Sequence, residues 1–249
     1  MNAFVVAWGR ALRSLMQGDL LWHLLWPTLL AFLLWGVALV FVWAESAVLI
    51  LHFVQTWPLV GSWFAEGSAQ AAFLMAFAHV MLIILCVPLS LLTAAVFIAV
   101  FALPLMLDRV AARDYPDVEK RRGGTQLGSV ANALWAVLLF LVMALLSLPL
   151  WFIPGVGLVL SILLSGWLNQ RCYRYDALMQ HADRAELKYL PREHRASLFG
   201  LGAAAGALAF IPFVNFFVPA LTGLAFVHYL LEALRVSRQQ GLIIDVRPQ

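Results

Sequence analysis

Four stretches of this chain contain no Asp, Glu, Lys or Arg, at 20–43, 69–107, 123–170 and 196–231. Polar positions within them are too sparse to leave a face for water, the pattern of helices immersed in lipid. The segment before them reads differently. Over 3–17, Phe4, Trp8, Ala11, Leu12 and Leu15 fall along one helical face, with Arg10, Arg13, Ser14 and Gln17 elsewhere. That periodicity predicts a short amphipathic helix lying on a membrane surface.

Length separates the blocks into two kinds. At 1.5 Å per residue the first is about 36 Å long, enough to cross ~30 Å of hydrocarbon once. Its Pro27 is expected in the first turns, where a missing N–H costs least. The connection at 44–68, with Trp57, Pro58, Gly61 and Trp63, reads as a helix extension followed by a loop in the headgroup zone. The second block would measure about 58 Å as one helix, nearly twice the hydrocarbon thickness. Its Pro88 and Pro104 predict a kink.

The last two blocks are each interrupted near the middle. In 123–170 the break is Pro149-Leu-Trp-Phe-Ile-Pro154-Gly155-Val-Gly157, and in 196–231 it is Ile211-Pro212-Phe-Val-Asn215-Phe-Phe-Val-Pro219. Phe152-Ile153-Pro154-x-Val156 recurs as Phe210-Ile211-Pro212-x-Val214, a weak internal repeat. The arms of the second block, 197–211 and 215–231, span about 22 to 26 Å, short of a ~30 Å crossing. The expectation is a pair of helical hairpins that turn round inside the bilayer. A turn at that depth must be covered by protein or line a wet cavity, and broken helices of this kind build solute paths. The candidate path residues are Pro154, Gly155 and Gly157 in the first turn and Pro212, Asn215 and Pro219 in the second. Glycine permits close backbone approach, and Asn215 brings a donor into the membrane.

Charge supplies orientation. The sixteen Lys and Arg residues are Arg10 and Arg13, five between 109 and 122, six between 171 and 195 and three between 235 and 247. The connection 44–68 carries only Glu45 and Glu66. Basic loops stay on the cytoplasmic side, so both termini are expected inside, with 123–170 and 196–231 each entering and returning. The basic residues also offer contacts to anionic membrane lipids. At 63% hydrophobic and 12% charged residues, a water-facing shell cannot be built. The basic residues are interleaved with acids and lack an aromatic partner patch, which argues against nucleic acid. Cys86 and Cys172 fall in a membrane segment and at a cytoplasmic boundary, which does not suit a disulfide framework. No basic n-region or small-residue cleavage site opens the chain, so no removable signal peptide is expected.

Candidate chemistry is thin. The chain has no Walker A loop, HExxH, GxSxG or CxxC. Within the uncharged blocks and the connection after the first, the ionisable candidates are His23, His52, His79 and His228, read as interfacial residues. No enzyme activity, metal or cofactor is expected.

Residue identity becomes specific in the C-terminal half. Phe152-Ile-Pro-Gly-Val-Gly157, Phe199-Gly200, Ile211-Pro-Phe-Val-Asn215 and Pro219 resemble the CysZ-type sulfate permeases, within the wider etoposide-induced-protein membrane domain group. The tryptophan-rich approach to Pro27 and the Ala102-Leu-Pro-Leu105 stretch extend the resemblance over most of the chain. It implies an all-α bacterial inner-membrane protein with two long transmembrane helices and two hemi-penetrating hairpins, working as a homo-oligomer. The implied activity is uptake of sulfate for cysteine assembly, without ATP. Two departures stand out. Leu21 and Trp22 occupy the positions where the sulfate permeases carry an arginine pair linked to anion binding, and Tyr175-Asp176-Ala177 replaces an acidic-aromatic-proline motif. Sulfate needs fixed donors, so Arg10 and Arg13 on the preceding helix are the substitutes.

The expected organisation is one membrane domain over 1–249. It comprises an amphipathic cytoplasmic helix (1–19), two long helices with an external loop (20–107), two broken hairpins (123–170 and 196–231) and a cytoplasmic tail (232–249). The expected function is a permease for a small, sulfate-like anion. The alternative is a membrane scaffold or envelope-maintenance protein built on the same domain.

Overall fold

An apolar run in lipid can satisfy its amides only by pairing them within itself, and this chain does so as helices. The computed structural model describes residues 3–58, 61–65, 67–211 and 214–241. All regular structure among them is helical: α1 (Ala3–Leu15), α2 (Gly18–Gln55), α3 (Ala69–Phe97), α4 (Leu103–Asp114), α5 (Gln126–Ser147), α6 (Val156–Leu178), α7 (Glu186–Glu193), α8 (Arg195–Leu208) and α9 (Val214–Gln239). Four stretches are long and apolar enough to span a membrane: Gly18–Trp43, Ala69–Ala94, Gln126–Phe152 and Val214–Gln239. This is a multi-pass membrane protein.

The chain divides into two compact units, Trp22–Ala102 and the combination of Met1–Leu21 with Leu103–Gln249. The division follows charge, since all sixteen Lys and Arg belong to the second unit.

Within Trp22–Ala102, side chains bridge the two long helices. Trp35 Nε1 donates to Thr93 Oγ1 at 2.9 Å. His79 stacks on Trp43 with ring centroids 4.1 Å apart, and its Nε2 lies 3.0 Å from the Trp43 carbonyl. A 3-10 turn, Gly61–Phe64, follows α2, and Gln55 Nε2 closes it by donating to Phe64 O at 2.7 Å. Two local features differ from expectation. Pro27 lies in the third turn, because α2 starts at Gly18; its missing N–H removes a bond inside the helix rather than at its end. The long second block runs helically through Pro88 and changes to a π-type turn at Ile98–Ala102, so that Pro104 falls in the first turn of α4.

In the other unit α9 is the axis. Its residues 220–231 are all buried, and α1, α4, α6 and α8 pack against it. Helix α1 presents Ala7, Ala11, Ser14 and Leu15 as its buried face, while Leu12 is exposed. Of the expected face of Phe4, Trp8, Ala11, Leu12 and Leu15, Ala11 and Leu15 are buried and Leu12 is not; Ala7 and Ser14 complete the contact, because small side chains let α1 approach α9. Helix α4 buries Leu103, Met106, Leu107, Val110 and Ala111, a three-to-four residue stripe.

Helices α6 and α8 meet at glycines. A Cβ on Gly202 would stand 2.5 Å from the carbonyl oxygen of Gly166, and one on Gly206 would stand 2.8 Å from Ser165 Cβ. Gly202-Ala-Ala-Ala-Gly206 is thus a small-residue seam of the kind that joins helices in lipid. Asn169 Nδ2 seals it by donating to Gly202 O at 3.1 Å. Helix α8 is about 21 Å long and α9 about 39 Å. The second arm is longer than its apolar run because the helix continues through Glu232 to Gln239.

The charged loops are tied by one fully buried carboxylate. Arg238 donates to Glu186 from Nε to Oε1 and from Nη2 to Oε2, both at 2.8 Å, and Arg121 Nη1 reaches Oε1 at 3.3 Å. The Asp183 amide donates to the same group at 2.8 Å. Removing an ion from water is offset only when every lone pair is used, and here nearly all are.

Candidate functional site

Three elements that are remote in sequence bring guanidinium groups to one place. Arg10 and Arg13 lie one turn apart on α1, Arg113 ends α4, and Arg235 lies near the end of α9. They line a cavity of about 300 Å³ together with Ser14, Gln17 and Asp114. Four cations therefore face one carboxylate.

The pairing among them is uneven. Arg113 holds Asp114 through Nε–Oδ1 at 2.7 Å and Nη2–Oδ2 at 2.9 Å. This hydrogen bonding, outweighing partial burial, lowers the Asp114 carboxyl below its ordinary value, so the pair stays ionic. Glu232 accepts from Arg10 at 2.8 Å and from Arg235 at 2.7 and 2.8 Å. Arg235 also lies 5.5 Å from the centre of the Tyr115 ring. Arg13 takes part in none of these pairs and is exposed to the cavity.

Beneath the cations is a buried chain of neutral donors and acceptors. Arg113 Nη2 lies 3.1 Å from Ser14 Oγ, which lies 3.1 Å from His228 Nε2. His228 Nδ1 lies 3.2 Å from Tyr115 Oη, which donates to the His228 carbonyl at 3.0 Å. One proton arrangement satisfies every group: Arg113 donates to Ser14, Ser14 to Nε2, Nδ1–H to Tyr115, and Tyr115 to the backbone. Burial raises the Tyr115 hydroxyl above its usual value, against the opposing effect of Arg10, and so keeps its donor proton in place.

Arg10 is shared with a second, mostly apolar cavity of about 430 Å³ between α1 and α9. Val6, Ala7 and Val236 line it, along with His228 and Glu232. The Arg10–Glu232 pair thus separates a basic chamber from an apolar one.

Planar guanidinium forks match tetrahedral oxyanions, which accept two parallel N–H bonds from one arginine. A chamber with one unpaired guanidinium, backed by three fixed ones, suits a small divalent anion better than a neutral solute or a cation.

The structure brings together two of the sequence-derived candidates, Arg10 and Arg13. The turn residues lie elsewhere. Pro154 and Gly155 are exposed in the turn after a 3-10 segment at Leu148–Phe152, with Gly155 at φ 81°, and Gly157 is half-buried. Asn215 is exposed at the start of α9 and Pro219 is half-buried one turn on; Pro212 lies outside the described residues. Sequence reasoning missed Arg113, Asp114 and Arg235 because it took the basic clusters as topology determinants. It read His228 as interfacial, whereas that ring is buried and bonded through both nitrogens. Its position as an ionisable side chain inside a 36-residue uncharged block was the available signal.

No curated protein and no solved structure matches the chain. A family model does, over residues 7–219, from α1 through α5, α6 and α8 to the start of α9. The protein belongs to the family described as sulfate transporter CysZ/etoposide-induced protein 2.4.

Proposed function

We propose that this protein is an inner-membrane permease for a small tetrahedral oxyanion, sulfate-like in charge and shape, feeding sulfur assimilation. The observation that carries this reading is the cavity in which Arg10, Arg13, Arg113 and Arg235 face a single carboxylate. Family membership supports the same substrate class. The arginines of α1 and α4 take the part that Leu21 and Trp22 cannot.

The basic loops face the cytoplasm in this reading, with both termini inside. The α6–α8 seam joins the short arms of the two hairpins. Helix α8 is about 21 Å long and the uncharged part of α6 about 22 Å, so both arms stop short of a ~30 Å crossing. Their turns end within the bilayer. Phe152 is 89% exposed, and Ile153, Phe210 and Ile211 are also exposed, so these tips are uncovered among the described residues. A second copy of the chain covers them, and the turn residues Pro154, Gly155, Gly157, Asn215 and Pro219 border the path.

Labelled-sulfate flux into proteoliposomes tests the proposal. Wild-type protein should give saturable flux that chloride does not suppress. Arg13→Gln should raise KM about tenfold or more, the loss of one charge-assisted pair, with melting unchanged. Asn215→Leu should lower flux at unchanged KM if the second turn borders the path. Folded, inserted protein with no flux above empty liposomes would sink the permease reading and leave a scaffold role.

A further inference from the structure

A second basic cavity shares no lining residue with the four-arginine chamber. It measures about 360 Å³ and is formed where the first turns of α5, the charged end of α6 and the short helix α7 meet. Arg171 and Arg174 enter it from α6, Lys188 and Arg192 from α7, and Asn132 from α5. No Asp or Glu lines it. The nearest acid on α6, Asp176, accepts a hydrogen bond from Ser129 Oγ and is engaged there.

Four cations without a carboxylate are an unusual arrangement to leave uncompensated. Arg171 and Arg174 are one turn apart on α6, and Lys188 and Arg192 one turn apart on α7, so each pair is a like-charge pair of the repelling kind. Elsewhere carboxylates sit among the cations: Glu186 with Arg121 and Arg238, Glu232 with Arg10 and Arg235, Asp114 with Arg113. Here none does. Arg171 Nε is moreover buried and makes no hydrogen bond, a donor whose burial costs free energy unless something accepts from it. Asn132 Nδ2 donates to the Arg171 carbonyl at 2.9 Å and fixes the backbone that carries this side chain.

Helix α5 supplies a second kind of surface at the same place. Trp135, one turn beyond Asn132 on the same side of α5, is 54% exposed. A basic pocket with an apolar helix face rising beside it has the chemistry of a headgroup site, phosphate against the cations and acyl chain along the helix. The pocket needs nothing from the transport reading, because it shares no residue with the four-arginine chamber.

We propose that Arg171, Arg174, Lys188 and Arg192 form a binding site for a phosphate group, supplied by an anionic phospholipid whose acyl chain lies along α5. The lipid's phosphate diester accepts from Arg171 Nε and the neighbouring guanidiniums, and the occupied site ties α7 to the α5–α6 hairpin.

The test uses the full chain in detergent, titrated with phosphatidylglycerol, phosphatidylcholine or inorganic phosphate, with melting temperature and retained lipid by native mass spectrometry as readouts. Lys188 and Arg192 are exposed and make no ion pair, so Lys188→Gln/Arg192→Gln should fold and melt like wild type without ligand. Wild type should be stabilised by phosphatidylglycerol well beyond phosphatidylcholine, and the double variant should bind it about thirty-fold more weakly. Arg122→Gln/Arg184→Gln, which removes the same charge elsewhere on the exposed surface, should bind as wild type does. If inorganic phosphate reproduces the stabilisation and the Lys188/Arg192 variant abolishes it, the phosphate comes from solution. A response that is absent, equal for both lipids, or equally reduced by both double variants overturns the proposal.

Discussion

Ser14 Oγ lies 3.1 Å from Nε2 of His228, 214 positions further along the chain, and both side chains are buried. This one contact joins the first helix to the last and positions Arg113, which donates to the same serine oxygen. A hydroxyl is the smallest group that can accept from a guanidinium and donate to an imidazole at once.

Ser14→Ala should therefore leave the buried His228 Nε2 without its partner and cost about 1–3 kcal/mol. Thermal melting of the detergent-solubilised protein reads it directly. Ser46→Ala, which removes a hydroxyl reaching only Trp43 O at 3.3 Å, should change stability by less than about 0.5 kcal/mol. Equal melting of Ser14→Ala and wild type would mean that the Arg113–Ser14–His228 chain is not formed.

Glu186 should be the most sensitive carboxylate in the protein. Glu186→Ala leaves Arg238 and Arg121 facing a buried gap and is expected to cost about 3–5 kcal/mol. Adding Arg238→Met should recover part of that loss, since the uncompensated charge goes with it. The double-mutant cycle in denaturant midpoints checks this, and strict additivity would rule out the coupling.

What the sequence made legible were features that depend on runs and periods. Uncharged blocks became helices, the Pro149–Gly157 break became a turn between α5 and α6, and the basic clusters all fell in one structural unit. What it hid depends on which distant elements touch. Nothing local to Arg10 announces Glu232, and nothing near Arg113 announces Ser14. The α1 face was legible in part for the same reason: Ala11 and Leu15 are buried as expected, but close packing on α9 takes Ala7 and Ser14 in place of Leu12. Pro27 lies deeper in its helix than expected because Gly18 and Asp19, which precede the uncharged block, form the first turn of α2.

The glycine seam gives a graded prediction. Gly202→Ala puts a methyl group 2.5 Å from a backbone oxygen, which no rotamer change relieves, so α6 and α8 must separate at a cost of about 1–3 kcal/mol. Gly9→Ala on α1 meets nothing within 4 Å and should stabilise by up to about 1 kcal/mol through helix propensity. Melting shifts of opposite sign are expected, and a neutral Gly202→Ala would show that the two helices do not cross there.

Acidification should weaken the fold in part through His181. Its imidazole is buried in the loop after α6 and held below its ordinary value, chiefly by burial, with Lys120 and Arg238 adding repulsion and Asp108 opposing them. The unfolded chain therefore takes up this proton first, once pH falls below about 6.5. Stability is complete above that point and declines as pH drops, until the folded imidazole protonates as well. Asp114 acts in a separate window. Its lowered value means that its contribution is present above about pH 4 and is lost only as pH falls through the folded value. Between pH 7.5 and 5.5 the melting temperature of wild type should fall, by about 2–4 °C per kcal/mol lost. His181→Gln should flatten that part of the profile while leaving the steeper acid limb in place. An undiminished slope in His181→Gln would move the titration to another group.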